Sequence, residues 1–367
     1  MISHKYLNEI CSIKTGKRDA NHSVLDGQYP FFTCADKPIK SPTYSFDGDS
    51  IILPGNGANV GLVLYYSGKF EAYQRTYILS EFKNCNPRYV FHHLRCFWTI
   101  ANQFMQFGSA TNYIRMGNFE TYKIPIPPIA EQKRIAEILD RTQALISKRK
   151  EAIAKLDTLT QSIFLEMFGD VVKNPKHWAS DRMENLMRIR RGGSPRPIEK
   201  YLGGDVNWIK IGDGTKGSDI YIENCADRIT RDGLNKTVFL EKGSLIFANC
   251  GVSLGFARIL KIDGCIHDGW LSFDNIVEEK LDKLFLLKAL NSLTQHFRDI
   301  APDGTQPNLN TGLMKNFYMI LPPLQLQKEF AQRVEAVEKL KATHRASLSQ
   351  LEALFASLQH RAFRGEL

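Results

Sequence analysis

The chain contains Ile126-Pro127-Pro128-Ile129-Ala130-Glu131-Gln132-Lys133-Arg134-Ile135-Ala136, and it repeats this motif as Leu321-Pro322-Pro323-Leu324-Gln325-Leu326-Gln327-Lys328-Glu329-Phe330-Ala331. A period this long excludes a solenoid, whose units have about 20–50 residues. Each copy follows a variable stretch of similar size, so the sequence predicts two related halves. The offset is 321 − 126 = 195 residues, and it continues without a gap through Leu145/Leu340, Leu156/Leu351, Leu159/Leu354 and Phe168/Phe363.

Each Pro-Pro pair precedes a long helical pattern, which in the first copy covers residues 130–168 without internal Pro or Gly. Proline suits the first turn of a helix. The apolar positions alternate in steps of three and four, which is the heptad pattern of a coiled coil. The predicted seam residues are Ile135, Ile138, Leu145, Arg149, Leu156, Leu159 and Ile163 in the first helix, and Phe330, Val337, Leu340, His344, Leu351, Leu354 and Leu358 in the second.

Neither helix is expected to be stable alone, because its apolar seam would face water. The simplest partner of each helix is the other one. An antiparallel pairing would place the two variable domains at opposite ends of a rod. It would also bring Arg149 and His344, which are equivalent under the offset, together near the centre, where polar seam residues can fix the register. The alternative is that both side chains lean out to solvent.

Length and composition indicate a globular protein of two to four domains, since the chain has 367 residues, 43% of them hydrophobic and 24% charged. No apolar run reaches the roughly 18 residues of a membrane span, and the N-terminus lacks the apolar core of a signal peptide. The seven cysteines are scattered and never spaced Cys-x-x-Cys. This pattern argues against disulfides and zinc, and it favours a reducing cytoplasm.

The positive charge is concentrated outside the helices. The net charge is +9. Residues 1–125 carry 13 basic and 9 acidic side chains, and residues 171–321 carry 21 and 18. Such an excess is compatible with phosphate binding but is also found in many plain enzymes.

The two variable stretches, residues 1–125 and 171–321, both contain short apolar runs bounded by Gly, Pro, Asn and Asp. Such runs predict strands. Residues 48–52 resemble residues 242–246. Predicted strands include residues 29–32, 50–53 and 61–66 in the first stretch and 206–211 and 244–247 in the second, with helices near residues 88–104 and 280–297.

Two variable domains, each followed by a Pro-Pro-x-x-x-Gln motif and a long helix, resemble the specificity subunit of type I restriction–modification systems. The C-terminal run Phe363-Arg364-Gly365-Glu366-Leu367 is similar to that family as well. One departure is Leu326, where the first copy has Glu131.

The resemblance implies an α+β fold with a pseudo-two-fold repeat. Residues 1–125 and 171–321 would be mixed α/β target recognition domains, each reading one half of a split sequence in double-stranded DNA. The long helices, in residues 126–170 and 322–367, would pack as an antiparallel coiled coil, set the gap between the halves and dock two methyltransferase subunits. Restriction/translocase subunits would complete the nuclease.

The resemblance also implies that this chain is not itself an enzyme and holds no cofactor. S-adenosylmethionine, ATP and Mg would then belong to partner subunits in a prokaryotic cytoplasm. An amino-methyltransferase would need an Asn/Asp-Pro-Pro-aromatic loop, but Ile126 and Leu321 precede the two Pro-Pro pairs. Residues 212–217 match Gly-x-Gly-x-x-Gly, yet a strand pattern follows instead of the helix that a phosphate site requires, so a tight turn is predicted.

Other patterns that could carry chemistry are weak. Glu278-Glu279-Lys280 contains the Glu-x-Lys of a nuclease site with Asp268 and Asp274 upstream, but charge runs at helix starts are far commoner. The pairs His92-His93 and His267-Asp268 match no nucleophile arrangement and are predicted to be structural.

Base readout needs Arg, Lys, Asn or Gln on loops that reach the major groove, whereas phosphates need only basic or hydroxyl groups. For every candidate, a solvated surface role is the alternative. The candidates in the first domain are Lys14, Lys17, Arg18, Gln74, Arg75, Asn112, Tyr113 and Arg115. Those in the second domain are Arg190, Arg191, Ser194, Arg196, Asn249, Thr305, Gln306 and Asn308.

Two other functions stay open on the sequence. A nuclease or methyltransferase with an unrecognised site would show a metal- or cofactor-dependent activity of the isolated chain. A coiled-coil scaffold joining two protein-binding domains would bind no duplex, or bind it without dependence on salt.

Overall fold

The computed structural model of this chain describes residues 3–102, 112–301 and 308–367. The chain forms two compact units: the first unit is Met1–Glu151 with His344–Leu367, and the second unit is Ala152–Thr343. Each unit thus contains one variable domain and a part of both long helices. Within the described ranges, no helix is long and apolar enough to cross a membrane.

The first unit is a mixed α/β structure. Its strands are β1 (Ser3–Tyr6), β2 (Ser12–Thr15), β3 (Tyr29–Phe32), β4 (Ile39–Ser41), β5 (Asp49–Pro54), β6 (Leu64–Ser67), β7 (Glu71–Ala72), β8 (Thr76–Ser80) and β9 (Lys123–Ile126). Its helices are α1 (Leu7–Ile10), α2 (Pro87–Asn102), α3 (Met116–Glu120) and the N-terminal part of α4 (Ile129–Phe168). The strands form sheets in the orders β2-β8-β5-β6, β4-β3-β7 and β1-β9.

Strand β5 is central because it is apolar on both faces. Ile51, Ile52 and Leu53 are fully buried, as a continuous apolar run predicts for an internal strand. One face packs on α2 through Val90 and Leu94, so the helix predicted near residues 88–104 is confirmed for its described part.

The second unit has related elements. Its strands are β10 (Ala179–Arg182), β11 (Arg188–Arg191), β12 (Leu202–Ile209), β13 (Tyr221–Ile222), β14 (Asp227–Ile229), β15 (Val238–Leu240), β16 (Leu245–Ala248), β17 (Ala257–Leu260), β18 (Gly264–Ile266), β19 (Trp270–Asp274) and β20 (Tyr318–Leu321). Its helices are α5 (Met183–Leu186), α6 (Ile211–Gly214), α7 (Lys283–Ser292), α8 (Thr294–Ile300), α9 (Thr311–Asn316) and the N-terminal part of α10 (Leu324–Arg364). The sheet orders are β11-β19-β16-β17-β13, β14-β12-β18-β15 and β10-β20.

Two local predictions for the second unit need correction. The helix expected near residues 280–297 is divided at Leu293 into α7 and α8. The Gly-rich segment at residues 212–217 begins with one helical turn, α6. The Asp213 carboxylate caps the N-terminus of this turn, because it accepts the N–H of the N-cap residue Lys210 at 2.8 Å. Strand β13 follows, as expected.

The duplicated motif has the same structural task in both units. Strand β9, before the first Pro-Pro pair, is antiparallel to β1 with Ser3 opposite Ile126. Strand β20, before the second pair, is antiparallel to β10 with Ala179 opposite Leu321. Each variable domain is therefore closed by a strand pair that leads directly into a long helix.

The glutamine that both copies of the motif share makes the same hydrogen bonds in the two units. Gln132 is fully buried; it donates to the Pro127 carbonyl at 2.7 Å and accepts the N–H of Asn86 at 2.8 Å. Gln327, also fully buried, donates to the Pro322 carbonyl at 2.8 Å and accepts the N–H of Asp282 at 2.9 Å. One amide thus ties the start of the long helix to the start of α2 or α7.

Replacement of this glutamine should destabilise the unit that contains it. Gln132→Ala leaves a buried carbonyl and a partly buried N–H without their partner, and we expect it to lower the free energy of unfolding by about 2 kcal/mol. Urea denaturation measures the change. Lys133→Ala, at an exposed position of the same helix and the same unit, is the control, with an expected change within about 0.5 kcal/mol. Equal effects of the two variants would contradict the assignment.

The long helices are antiparallel in each unit. In the first unit, Arg149 Nη1 donates to His344 Nδ1 at 2.5 Å, while Ile135, earlier in the first helix, packs in one core cluster with Ala362, later in the second helix. In the second unit, the Phe330 ring lies 5.5 and 5.3 Å from the rings of Phe164 and Phe168. The predicted antiparallel pairing, with Arg149 and His344 meeting, is confirmed.

The predicted seam is wrong at four leucines. Leu145, Leu159, Leu340 and Leu354 are 53%, 45%, 47% and 49% exposed. After Leu145, Leu159 and Leu340 the buried position is the next residue in the chain, namely Ile146, Thr160 and Lys341, because a step of one residue turns the side chain by about 100°. Ile135 and Phe330 are buried, and the other predicted positions are half-buried: Ile138, Arg149, Leu156, Ile163, Val337, His344, Leu351 and Leu358.

Candidate nucleic-acid interface

A tight turn before strand β8 presents two polar side chains in the first unit. The N–H of Thr76 donates to the Tyr73 carbonyl at 2.8 Å, which leaves Gln74 and Arg75 exposed at the tip. Gln74 donates to the Asp19 carboxylate at 2.6 Å. The guanidinium of Arg75 makes no hydrogen bond or ion pair with any residue that the structure describes.

Three backbone hydrogen bonds hold this turn. Gly16 donates to the Thr76 carbonyl at 3.1 Å, Gly55 donates to the Arg75 carbonyl at 2.9 Å, and Ile114 donates to the Gly55 carbonyl at 3.0 Å. The resulting cleft has a volume of about 340 Å³. Its lining residues are Thr15, Gly55, Asn56, Gln74, Arg75, Tyr77, Tyr113 and Ile114.

The second unit contains the same turn before strand β19. The N–H of Trp270 donates to the His267 carbonyl at 2.9 Å, so Asp268 and Gly269 form the tip. Gly192 donates to the Trp270 carbonyl at 2.9 Å, as Gly16 does to Thr76 in the first unit.

The remaining two bonds of the frame are also repeated. Asn249 donates to the Gly269 carbonyl at 3.0 Å, and Leu309 donates to the Asn249 carbonyl at 2.8 Å. The match makes Gln74 equivalent to Asp268 and Arg75 equivalent to Gly269.

In each unit, the loop that follows strand β2 or β11 passes the turn so closely that it needs a glycine there. A Cβ atom on Gly16 would lie 2.0 Å from the Ala72 carbonyl oxygen, and one on Gly192 would lie 2.3 Å from the His267 carbonyl oxygen. Two backbones can approach this closely only without a side chain. The same loops carry the basic residues of both sites.

Several sequence-predicted residues gather at the first turn. Arg115 donates to the Tyr113 hydroxyl at 2.8 Å, and the backbone of Asn112 accepts the N–H of Gly57 at 2.9 Å. Arg18 is exposed on the Gly16 loop and reaches the buried Glu71 carboxylate at 3.4 Å.

Not every predicted residue of the first unit is near the turn. Lys17 is exposed and follows Gly16, on the loop that passes the turn. Lys14 is not near the turn, because it pairs with Glu81 at 2.8 Å. Glu81 follows the far end of β8, so the structure does not bring Lys14 to the cleft.

In the second unit, the predicted Arg191 and Ser194 contact the turn directly. Arg191 donates to the Asp268 carbonyl at 2.9 Å, and the Ser194 hydroxyl donates to the Asp268 carboxylate at 2.9 Å. Burial lowers the pKa of His267, and the positive charges of Arg191 and Arg196 add to that effect against the raising influence of Asp268. The turn therefore lies in a positive environment.

Two predicted residues of the second unit face elsewhere. Arg190 pairs with Asp274 at 2.6 Å, and both side chains are largely buried, so this arginine is tied to its own sheet. Asn249 is fully buried and donates to the Leu309 carbonyl at 3.2 Å and to Asn308 at 3.3 Å. The prediction that Asn249 contacts DNA is therefore wrong: its side chain is buried and binds the segment at Asn308 and Leu309. Thr305 and Gln306 lie outside the described residues.

The residue pattern alone does not single out Asp268 and His267 as part of this site, since the pair matches no nucleophile arrangement. A signal was present, because residues 48–52 resemble residues 242–246 at an offset of 194. The same offset takes Gln74 to Asp268, since 74 + 194 = 268.

Two groups of the alternative nuclease pattern, Lys280 and Asp274, are engaged in separate ion pairs. Lys280 lies 3.4 Å from the Asp181 carboxylate, and Asp274 pairs with Arg190 at 2.6 Å. Within residues 3–102, 112–301 and 308–367, no cluster of three His, Cys, Asp or Glu side chains could hold a metal ion.

Known proteins share this sequence pattern and fold. The specificity subunit of the type I restriction enzyme EcoDI of Escherichia coli is 25% identical, with 98% of this chain and 87% of that subunit covered. That of MjaVIII from Methanocaldococcus jannaschii is 24% identical, with 89% and 83% covered. The S subunit of a type I restriction–modification system from M. genitalium has a similar fold, with a TM-score of 0.64 and 17% identity over 99% of this chain and 96% of that one.

The family model of the type I restriction modification DNA specificity domain matches residues 3–156 and 175–353. The two matched ranges contain the duplicated Pro-Pro motifs and both hydrogen-bonded turns. This chain therefore belongs to the family of the type I restriction modification DNA specificity domain.

Proposed function

We propose that this chain is the DNA sequence-recognition subunit of a type I restriction–modification complex, in which each unit reads one half of a bipartite target. The observation that carries the proposal is the repeated turn. Both units present it in the same hydrogen-bonded frame, with Gln74-Arg75 at one tip and Asp268-Gly269 at the other. A constant frame with different tip residues is what two modules need to read different bases.

The duplicated Pro-Pro motif supports a recognition role for the chain rather than methyl transfer. Pro127 and Pro322 offer their carbonyls to the buried Gln132 and Gln327, so both pairs serve to join helices to domains. We infer that methyl transfer and cleavage belong to partner subunits, which would hold S-adenosylmethionine, ATP and Mg. The long helices, each of which runs through both units, would set the gap between the half-sites.

The exposed leucines of the helices support docking of two identical partners. Scattered exposed leucines are normal on a surface, but these four form equivalent pairs under the 195-residue offset. The first unit carries Leu145 and Leu354, and the second carries Leu159 and Leu340. A surface that occurs twice would bind two copies of one methyltransferase subunit, which is the basis of this assignment.

Charged substitutions should remove the partners one at a time. We expect Leu145→Glu with Leu354→Glu to leave one methyltransferase subunit bound instead of two, because each glutamate would be desolvated in the interface. Leu159→Glu with Leu340→Glu should do the same, and the four changes together should abolish binding. Light scattering of the purified complex gives the stoichiometry.

The chain offers a matched control for this test. Leu165 is 47% exposed on the same helix, but its equivalent under the offset is His360, so it belongs to no repeated pair. Leu165→Glu should retain two bound subunits. Two bound subunits in either double variant would contradict the docking surface.

Methylation mapping tests the function itself. The chain is co-expressed with a cognate methyltransferase subunit in a methylation-free host, and the modified bases are sequenced. Two short half-sites with a fixed gap, absent without this chain, are the expected result. A continuous motif, or methylation that is indifferent to this chain, would overturn the proposal and favour the scaffold alternative.

A further inference from the structure

We propose that Asp268 is the base-reading side chain of the second unit and that it selects cytosine at one position of its half-site, while Arg75, the other tip residue of the first unit's turn, selects guanine at one position of the other half-site. This inference rests on the proposed function. It adds the chemical identity of the contacts, and it assigns a role to a residue that lies outside the basic loops.

The placement of Asp268 follows from the shared frame. Residues 73–76 and 267–270 form the same turn, crossed by the same glycine and held by the same backbone bonds. The first tip residue is Gln74 in one unit and Asp268 in the other. If the turn of one unit enters a DNA groove, the turn of the other enters its groove in the same way, because the frame around each tip is the same.

The carboxylate of Asp268 is partly free to accept a hydrogen bond. Its side chain is 36% exposed, and one oxygen, Oδ1, accepts a hydrogen bond from the Ser194 hydroxyl at 2.9 Å and lies 2.9 Å from His267 Nδ1. The other oxygen, Oδ2, has no hydrogen-bond partner among the residues that the structure describes. Ser194 therefore orients the group and leaves one acceptor for a ligand.

The side chains around Asp268 are basic and can bind a polyanion such as DNA, whereas the carboxylate of Asp268 repels phosphate groups. Arg191 donates to its main-chain carbonyl, and Arg196 acts on the neighbouring His267 together with Arg191. Such basic groups can bind phosphates on both sides of the turn. A carboxylate among them repels phosphates and base acceptors, so an exocyclic amino group is the favourable partner.

Major-groove chemistry identifies the base. Cytosine offers its N4 amino donor there, and Asp or Glu side chains accept from it, whereas adenine adds the N7 acceptor and guanine offers two acceptors. A carboxylate at the tip therefore favours cytosine over the other three bases. The acid acts mainly by excluding wrong partners, which is a common way of obtaining specificity.

The tip of the first unit has the opposite chemistry. The amide of Gln74 is engaged by Asp19 at 2.6 Å, while the exposed guanidinium of Arg75 lacks a partner within the described part of the chain. A free guanidinium pairs with the O6 and N7 acceptors of guanine in a bidentate manner. The two half-sites should thus differ, because the free group at one tip is a donor on its second residue, Arg75, and the free group at the other tip is an acceptor on its first residue, Asp268.

The test is methylation mapping of the complex that contains Asp268→Asn. Asparagine has the same shape but pairs with adenine N6 and N7. We expect the preference for cytosine at one position of the second half-site to fall at least about tenfold, with adenine gained there. The first half-site and the gap should stay unchanged. Arg75→Ala should relax a guanine position of the first half-site only.

Asp232→Asn is the matched control, since it removes an exposed carboxylate from the same unit and should leave the motif intact. An unaltered second half-site in Asp268→Asn, with methylation retained, would overturn this inference while the proposed function stands. Loss of the split motif in the unsubstituted complex would instead overturn the proposed function. If Asp268→Asn fails to fold, the Arg75→Ala result decides the shared-frame argument, and an unaltered first half-site would overturn it.

Discussion

Acidification from pH 7 to pH 5 should destabilise the first unit by about 4 kcal/mol, because two buried histidines gain protons when it unfolds. His92 and His93 lie on α2 and are 0% and 6% exposed. Burial lowers the pKa of His92 to about 4 even though the Asp140 carboxylate, 2.7 Å from its Nε2, raises it. Burial, with the nearby His4, lowers the pKa of His93 to about 3.

The direction follows from proton binding. The folded pKa of both histidines lies below the unfolded value of 6.5, so the unfolded state binds more protons at low pH. No stability is lost above about pH 6.5, and the loss grows as the pH falls from there toward the folded pKa. At pH 5, each histidine accounts for about 2 kcal/mol.

Urea denaturation of the first unit at several pH values measures this effect. His93→Gln should remove about half of the pH dependence, since glutamine does not titrate. His360→Gln changes an exposed histidine on α10 and should leave the dependence unchanged. A stability that is flat between pH 7 and pH 5 in the unsubstituted chain would show that these histidines are not held neutral by burial.

The duplication and its helices could be predicted from sequence because both are encoded locally. A gapless offset gives equivalent residues directly, and an antiparallel pairing of equivalent helices places Arg149 opposite His344. The seam register was not predictable from the heptad pattern alone. Leu145 and Ile146 are both apolar, and which of them faces the partner depends on packing against the rest of the unit.

The candidate interface was predicted only in part, because its frame joins residues far apart in the chain. Gly55, Arg75 and Ile114 meet through backbone hydrogen bonds, which leave no trace in side-chain chemistry. Asn249 was selected for its amide, yet the fold buries it. Asp268 was set aside because an acidic residue does not suggest DNA binding until its equivalence to Gln74 is known.

Lys341→Ile should destabilise the second unit by about 3 kcal/mol, because it leaves three carboxylates without their shared cation. Lys341 is 1% exposed and lies 2.6 Å from Asp157, 2.7 Å from Glu338 and 3.0 Å from Asp219. Burial alone would lower the pKa of this lysine, but the three carboxylates outweigh it and raise the pKa. The expected loss is below that of a fully buried pair, because Asp157 and Asp219 are half-exposed.

The first unit indicates that the stability lost in Lys341→Ile would come from the ionic network and not from poor packing of isoleucine between the helices. Position 341 is equivalent to Ile146 under the 195-residue offset, and Ile146 is buried in the first unit, so isoleucine is compatible with the helix pair there. Burial would raise the pKa of Asp219, yet Lys288 and Lys341 together hold it below the usual range. Asp219 therefore keeps a cation in Lys341→Ile, whereas Glu338, whose side chain is 15% exposed, loses the lysine it pairs with. Adding Glu338→Gln to Lys341→Ile should recover part of the lost stability in urea denaturation. Lys339→Ile, at an exposed neighbouring position, should change little, and a Lys341→Ile variant as stable as this control would mean that the three carboxylates do not need the lysine.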